Sequence, residues 1–261
     1  MFNFVYKDID FAHKIDNPSH PTEEYYKHIH HFYEILYLVR GNIDYTVESE
    51  THRLNGGDIV FIAPGKFHYA TVDLSVPYER YVFKFPEKLL PEFILDKLNG
   101  KSSFFFGSEK YREQIEEFDK IFQAYSQEEL YVIFSCGLLK LIVMLCHEPL
   151  HKAESNNDFI SRIIDYINAN LGQQITMQTL TEKFHYSKSY INIEFKRQMK
   201  IPIMKYIRLK KILAAHKMII NGTKKSVAAE MFGFENYSTF YRAYKSLIEP
   251  NAVLDEEDTL D

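Results

Sequence analysis

The chain has 261 residues, with 31 Lys+Arg against 36 Asp+Glu and a formal net charge of −5; 46% of it is hydrophobic and 15% aromatic, with no Trp. That length fits two ordinary domains better than one large one, each able to bury a core. Abundant Phe and Tyr exclude disorder, the lack of a glycine period excludes a fibre, and no apolar run of about 18 residues is present to span a membrane.

The opening MFNFVYKDIDFAHK has acids among its first ten residues and no basic start followed by an apolar stretch, so no secretory signal is expected. Residues 1 to about 107 read as β-structure. Phe2–Tyr6, Glu34–Val39, Ile43–Val47, Ile59–Ile62 and Tyr78–Phe85 are short and rich in aromatic and β-branched residues. Turn signals at Gly41-Asn42, Asn55-Gly56-Gly57-Asp58, Pro64-Gly65 and Pro77 separate them, which suggests a barrel or sandwich. Tyr37, Tyr45, Tyr69, Tyr78 and Tyr81 are expected mostly in its core or wall.

From Ser108 the period becomes helical. Tyr111, Ile115, Phe118, Ile121 and Phe122 share one face, and Leu130–His147 is apolar on nearly every side. Such a helix must be covered on more than one face, by the β-domain and by a partner subunit, so residues 108–147 are expected to make a homodimer. Cys136 and Cys146 lie ten residues apart in this segment, too far round one helix to bridge, and read as buried free thiols of a cytoplasmic protein. Residues 148–157 are polar, contain Pro149 and read as a linker.

Beyond the linker the chain reads as all helical, and its charge changes sign. Residues 1–155 hold 16 Lys+Arg and 24 Asp+Glu, a net −8; residues 156–248 hold 15 and 6, a net +9; the last thirteen hold none and 6, a net −6. The basic stretch contains one arrangement twice. Met177–Phe184 is joined by His185-Tyr186 to a helix capped by Ser187, and Ser226–Phe232 is joined by Gly233-Phe234-Glu235 to a helix from Asn236. Two short helices joined by a tight turn form a helix-turn-helix, whose second helix fits a major groove about 12 Å wide. With Ile191, Phe195, Phe240 and Tyr244 facing inward, Ser187, Lys188, Ser189, Asn192, Ile193 and Lys196 are expected outward on the first unit. Tyr237, Ser238, Thr239, Tyr241, Arg242 and Lys245 are expected outward on the second. These donors, acceptors and cations suit base edges and phosphates of double-stranded DNA.

Ile175–Lys196 (ITMQTLTEKFHYSKSYINIEFK), Tyr206-Ile207, Ala215 and Gly233–Lys245 (GFENYSTFYRAYK) resemble the double helix-turn-helix domain of AraC/XylS-type transcription regulators. The resemblance implies two recognition helices in successive major grooves, braced by the long helix Pro202–Asn221, over a domain of residues 158–250. The chain departs from the family's habit in four places: Ile193 stands where Arg is frequent, Lys200 where a glycine follows the first recognition helix, Lys225 where an apolar residue is usual before Gly233, and Glu249-Pro250-Asn251-Ala252 with an acidic tail (residues 251–261) replaces the usual ending.

In the N-terminal part, His28, His30 and Glu34 have even spacing, which on a strand puts them on one face, and His68 follows a later strand. Three imidazoles and a carboxylate are a normal set for Zn²⁺, Fe²⁺, Ni²⁺ or Mn²⁺. HIHHFYEILYLVRG (His28–Gly41) and GDIVFIAPGKFH (Gly57–His68) resemble the two cupin motifs, the usual N-terminal sensor of many AraC-type regulators. That resemblance implies an effector site at His28, His30, Glu34 and His68, holding an organic molecule or a divalent transition metal; no cofactor is certain. The remaining histidines, His13 and His216 among them, stand alone and read as surface or capping residues.

The fold class expected is α+β multidomain: a cupin-like β-barrel, a helical dimerisation segment and an all-α double helix-turn-helix. The function expected is sequence-specific transcription regulation under a small-molecule effector, by a cytoplasmic protein that is no enzyme and meets no membrane. Two rivals stand beside it. One is a metal-dependent cupin enzyme carried by His28, His30, Glu34 and His68, with a degenerate DNA-binding appendage. The other is a regulator that heterodimerises through residues 108–147 without binding DNA.

Overall fold

The computed structural model describes residues 1–17, 27–73, 75–148 and 159–248. The predicted linker beyond Glu148 and the acidic tail lie outside the described residues. The chain divides into two compact units: Met1–His28 with Phe32–Ser155, and Ile29–His31 with Asn156–Asp261. This is the α+β architecture expected, a β-rich N-terminal part and an all-helical C-terminal one.

The N-terminal unit has two antiparallel sheets. Across the larger run β1 (Phe2–Tyr6), β2 (Ile9–Asp16), β8 (Tyr78–Phe85), β3 (Tyr33–Arg40), β6 (Ile59–Ile62) and β9 (Ser103–Phe105); the smaller holds β5 (Glu50–Leu54), β4 (Ile43–Val47) and β7 (His68–Val72). Alternation along β3 explains why its first six residues are all buried. Leu36 and Leu38 face the smaller sheet, packing with Ile43, Tyr45, Val47, Leu54, Tyr78 and Val82. Tyr33, Ile35 and Tyr37 face the other way, into a second core that the helices cover.

Those helices are α1 (Glu92–Leu98), α2 (Arg112–Ile121) and α3 (Gln127–Leu145). Ser126 and Glu129 close a capping box at the start of α3. Ile115 and Phe118 of α2 and Phe134, Leu138, Leu141 and Ile142 of α3 are buried on the sheet. The far face of α3 is uncovered in the single chain: Val132 is 58% exposed and Met144 40%. Cys136 shares that face, so the expectation of two buried thiols is corrected: Cys136 is exposed and Cys146 only partly buried.

The five strands read from the sequence are present, and β2, β5, β7 and β9 are additional. The stretch read as wholly β also holds α1, which carries only one buried residue, Ile94, and so has a weak apolar signature. Among the tyrosines, Tyr37, Tyr45, Tyr78 and Tyr81 are buried, and Tyr69 is half-buried.

The C-terminal unit comprises α4 (Phe159–Ala169), α5 (Met177–Phe184), α6 (Lys188–Met199), α7 (Ile203–Ile220), α8 (Lys225–Met231) and α9 (Tyr237–Ile248). Local signals set these bounds. Thr176 accepts a hydrogen bond from the Thr179 amide, Ser187 from the Tyr190 amide, Pro202 precedes α7, and Asn221-Gly222 follows it. Lys200 ends α6 in the left-handed conformation at φ 55°, where the related family has glycine and where a side chain costs about 1 kcal/mol.

Candidate nucleic-acid interface and sensor site

The first helix-turn-helix is α5 and α6, joined through His185, which takes the left-handed conformation at φ 61°. Leu180, Phe184, Ile191, Phe195 and Met199 bury its inner face, and Phe195 packs edge-on to Tyr206 of α7 at 5.3 Å. Ser187, Lys188, Ser189, Asn192, Ile193 and Lys196 are all exposed, Ile193 to 68%. Arg197, on the same helix, pairs with Glu194, its Nε donating to Oε2 at 3.0 Å.

The second unit, α8 and α9, turns at Gly233, φ 74°. Phe240 and Tyr244 pack with Ile212, Ala215, Ala228 and Ala229. The Asn236 side-chain oxygen accepts from the Thr239 amide at 3.0 Å and so caps α9. Tyr237, Ser238, Tyr241, Arg242 and Lys245 are exposed, while Thr239 is half-buried instead of fully outward. The rings of Tyr237 and Tyr241 stack at 6.0 Å.

The four residues expected at the effector site come together, though not by the route the spacing suggested. His28 and His30 precede β3 and do not belong to it, and His68 opens β7 and does not close β6. An isolated bridge aligns them instead: the His28 amide donates to the His68 carbonyl at 3.1 Å, and the His68 amide returns the bond at 3.0 Å. Their rings meet edge to face at 4.1 Å. One donor atom from each of His28, His30, Glu34 and His68 lies within 4.8 Å of all the others.

His30, Glu34 and His68 are buried and His28 half-buried. The Nδ1 of His68 lies 2.9 Å from the Lys66 carbonyl, which can only accept, so Nδ1 carries the proton. In the neutral ring the lone pair is then on Nε2, which lies 3.9 Å from Glu34 Oε2. A ligating imidazole is oriented in this way by its other ring nitrogen. The buried Tyr45 phenol is held well above its ordinary range, by burial first and by the Glu34 charge second. Three imidazoles and a carboxylate at this spacing fit a divalent transition metal, and equally fit hydrogen bonds to a polar organic molecule.

The family described as AraC-like ligand binding domain matches residues 18–134, and the family described as helix-turn-helix domain matches residues 180–249. The chain belongs to the AraC family of transcription regulators. It is a DNA-binding regulator with an N-terminal ligand-binding domain, and both matches favour that reading over an enzyme or a regulator that ignores DNA. Its relatives include the uncharacterized HTH-type transcriptional regulator YdiP of Escherichia coli, 22% identical over 224 residues, spanning 81% of this chain and 74% of that protein. The transcriptional regulatory protein HptR of Staphylococcus aureus is 26% identical over 107 residues, 40% of this chain and 42% of that one. Among solved structures, ToxT of Vibrio cholerae bound to (E)-4-(8-methylnaphthalen-1-yl)but-3-enoic acid is 14% identical, covering 92% of this chain and 95% of that one, with a TM-score of 0.38.

For an AraC-family chain, two buried polar groups and one half-buried one were not legible in advance. His13 and His216 are not the surface residues expected: the His13 ring is sandwiched between carboxylates, 3.0 Å from Glu79, and His216 is 8% exposed, its Nδ1 2.9 Å from the Tyr244 hydroxyl. Lys211 belongs to the basic stretch. It is 8% exposed, and its ammonium donates to the carbonyls of Gln173, at 2.8 Å, and of Phe232, at 3.0 Å. Gln173 lies in the turn between α4 and α5 and Phe232 caps α8, so one side chain of α7 ties the turn that leads into the first helix-turn-helix to the end of α8 in the second. Burial lowers its pKa, the cost of holding a cation there.

Lys211→Met keeps the volume and removes both charge-assisted bonds, at about 1.5–3 kcal/mol for each such bond before the relief of desolvation. The expected result is a loss of about 2–3 kcal/mol in urea denaturation of the C-terminal helices, and weaker DNA binding from a residue that touches no DNA. Unchanged stability would show that this tie carries no energy.

Proposed function

We propose that this regulator binds its operator through both recognition helices and is controlled by a ligand held at His28, His30, Glu34 and His68. The observation that carries the second half is the convergence of those four donors, three of them buried, in a chain whose other end is a tandem helix-turn-helix. DNA contact is assigned to Ser187, Lys188, Ser189, Asn192, Ile193 and Lys196 on the first unit and to Tyr237, Ser238, Thr239, Tyr241, Arg242 and Lys245 on the second. Cations among them neutralise phosphates, and the polar and apolar groups meet base edges.

The working form is a homodimer in the cytoplasm, formed through α3. Val132, Cys136, Leu139 and Val143 recur at intervals of four, three and four, the spacing of a helix-pairing seam; Val132 and Cys136 are exposed, and Leu139 and Val143 are half-buried at the edge of the core. A second copy presents the same seam, so the pairing is self-complementary. Ligand binding then changes which half-sites the two DNA-binding domains span. Where the ligand is a metal, it is held by the three imidazoles and Glu34 and supplies a fixed cross-link between the segment before β3 and the start of β7.

The test strips the full chain with a chelator and follows its melting and its DNA affinity as Zn²⁺ or Ni²⁺, or small polar molecules from a library, are added. We expect one of these probes to raise the melting temperature and shift DNA affinity in the wild type and to do neither in His68→Ala. No probe that separates wild type from His68→Ala would overturn the sensor assignment.

A further inference from the structure

The outward face of α6 contains an anomaly. Ile193 is 68% exposed, among the most exposed aliphatic side chains of the C-terminal unit. It lies about 160° round the helix from Phe195, at roughly 100° per residue, and so points directly away from the core. A β-branched residue is a poor choice for an exposed helix surface, since it loses rotamer freedom and leaves apolar area in water. Ser189 and Tyr190 lie one turn before it, Tyr190 46% exposed and stacked on Tyr186, with Asn192 beside it and Lys196 and Arg197 one turn after. Ile193 is the one aliphatic point on this outward face, set among polar groups, phenol rings and cations, and complementary to a polyanion with an apolar feature in its groove.

Thymine has that feature, the C5 methyl group, which projects into the major groove and which no other DNA base carries. Adenine presents the N6 and N7 pair that an asparagine side chain meets with two hydrogen bonds. Asn192 and Ile193 are neighbours about 100° apart on the helix, so they address adjacent base pairs. We propose that α6 reads an A·T-containing step, with Ile193 seated on a thymine methyl and Asn192 on a neighbouring adenine. This rests on the reading of α6 as a recognition helix and goes further, by naming the bases that the helix selects and the residue that selects thymine.

The experiment takes the duplex site that the full-length protein selects from a random pool at physiological salt. Each thymine of that site is replaced in turn by deoxyuridine, which deletes only the methyl group. One thymine of one half-site is expected to respond, binding about four-fold more weakly as deoxyuridine, the worth of one buried methyl. Ile193→Ala, at an exposed position that does not disturb folding, is expected to weaken the thymine site by at least that factor and to bind the deoxyuridine site equally well.

Indifference of the wild type to every replacement would overturn the inference while leaving DNA binding intact. Retention of the thymine preference by Ile193→Ala would overturn it too, because another residue would then be reading the methyl. A pool that returns no preferred sequence would overturn both this inference and the operator-binding reading beneath it.

Discussion

Phe134→Ala is expected to cost the N-terminal unit about 3–5 kcal/mol, the largest stability loss of any single truncation considered. Phe134 is fully buried at the centre of an aromatic cluster, stacked on Phe11 at 5.7 Å and edge-on to Phe118 at 4.9 Å and to Phe4 at 5.1 Å. It ties α3 to β1, β2 and α2 at once, so its removal leaves a cavity that no single neighbour can fill. The chain has no Trp, so circular dichroism or tyrosine fluorescence follows the transition. With two units, unfolding need not be two-state, and the expected outcome is specific: the N-terminal transition moves to lower denaturant and the C-terminal one stays. The proposed dimer should weaken as well, since its seam lies on the same helix. A loss below about 1 kcal/mol would mean that the sheet–helix interface is not the core described.

The second large effect is a loss of stability in acid. Burial pushes the His216 pKa down to about 4, and the ring is held neutral beside the Tyr244 hydroxyl. The unfolded chain has an ordinary imidazole, near 6.5, and so binds more protons than the folded one between those values. Stability from this group is therefore complete above about pH 6.5 and is lost as pH falls toward 4. The slope approaches 1.4 kcal/mol per pH unit, giving on the order of 2–3 kcal/mol across the window. His216→Gln retains a hydrogen-bonding group and removes the titration. Denaturation at pH 7 and pH 4.5 should show the wild type losing more than the variant by about that amount. Equal losses would show that His216 charges in the folded state without penalty.

What the sequence made legible depended on how local the signal was. The helices of the C-terminal unit were readable almost to the residue, because Thr176, Ser187, Pro202 and Asn221-Gly222 each mark a helix end through a backbone preference. β3 and β8 were readable because both their faces are covered and their residues run apolar. β5, with the sequence ETHRL, was not: it is the edge of the smaller sheet, and its outward residues carry no apolar alternation.

The convergence of His28, His30, Glu34 and His68 was expected from spacing, but the strand that justified it does not exist at His28 and His30. A long-range backbone bridge to His68 makes the convergence, and no period in one segment encodes such a pairing. Lys211 and His216 were missed for a related reason. Both lie on α7, whose polar and apolar residues are mixed around the helix, so its sequence gives no inward face to which they could be assigned.

The central claim is that the tandem helix-turn-helix is a sequence reader. Selection of duplexes from a random pool by the full chain at physiological salt tests it directly. The account predicts an enriched site with two half-sites about one helical turn apart, matching the two recognition helices. Binding that shows no sequence preference and fades uniformly as salt rises would reduce the basic unit to a phosphate-binding surface and contradict the account.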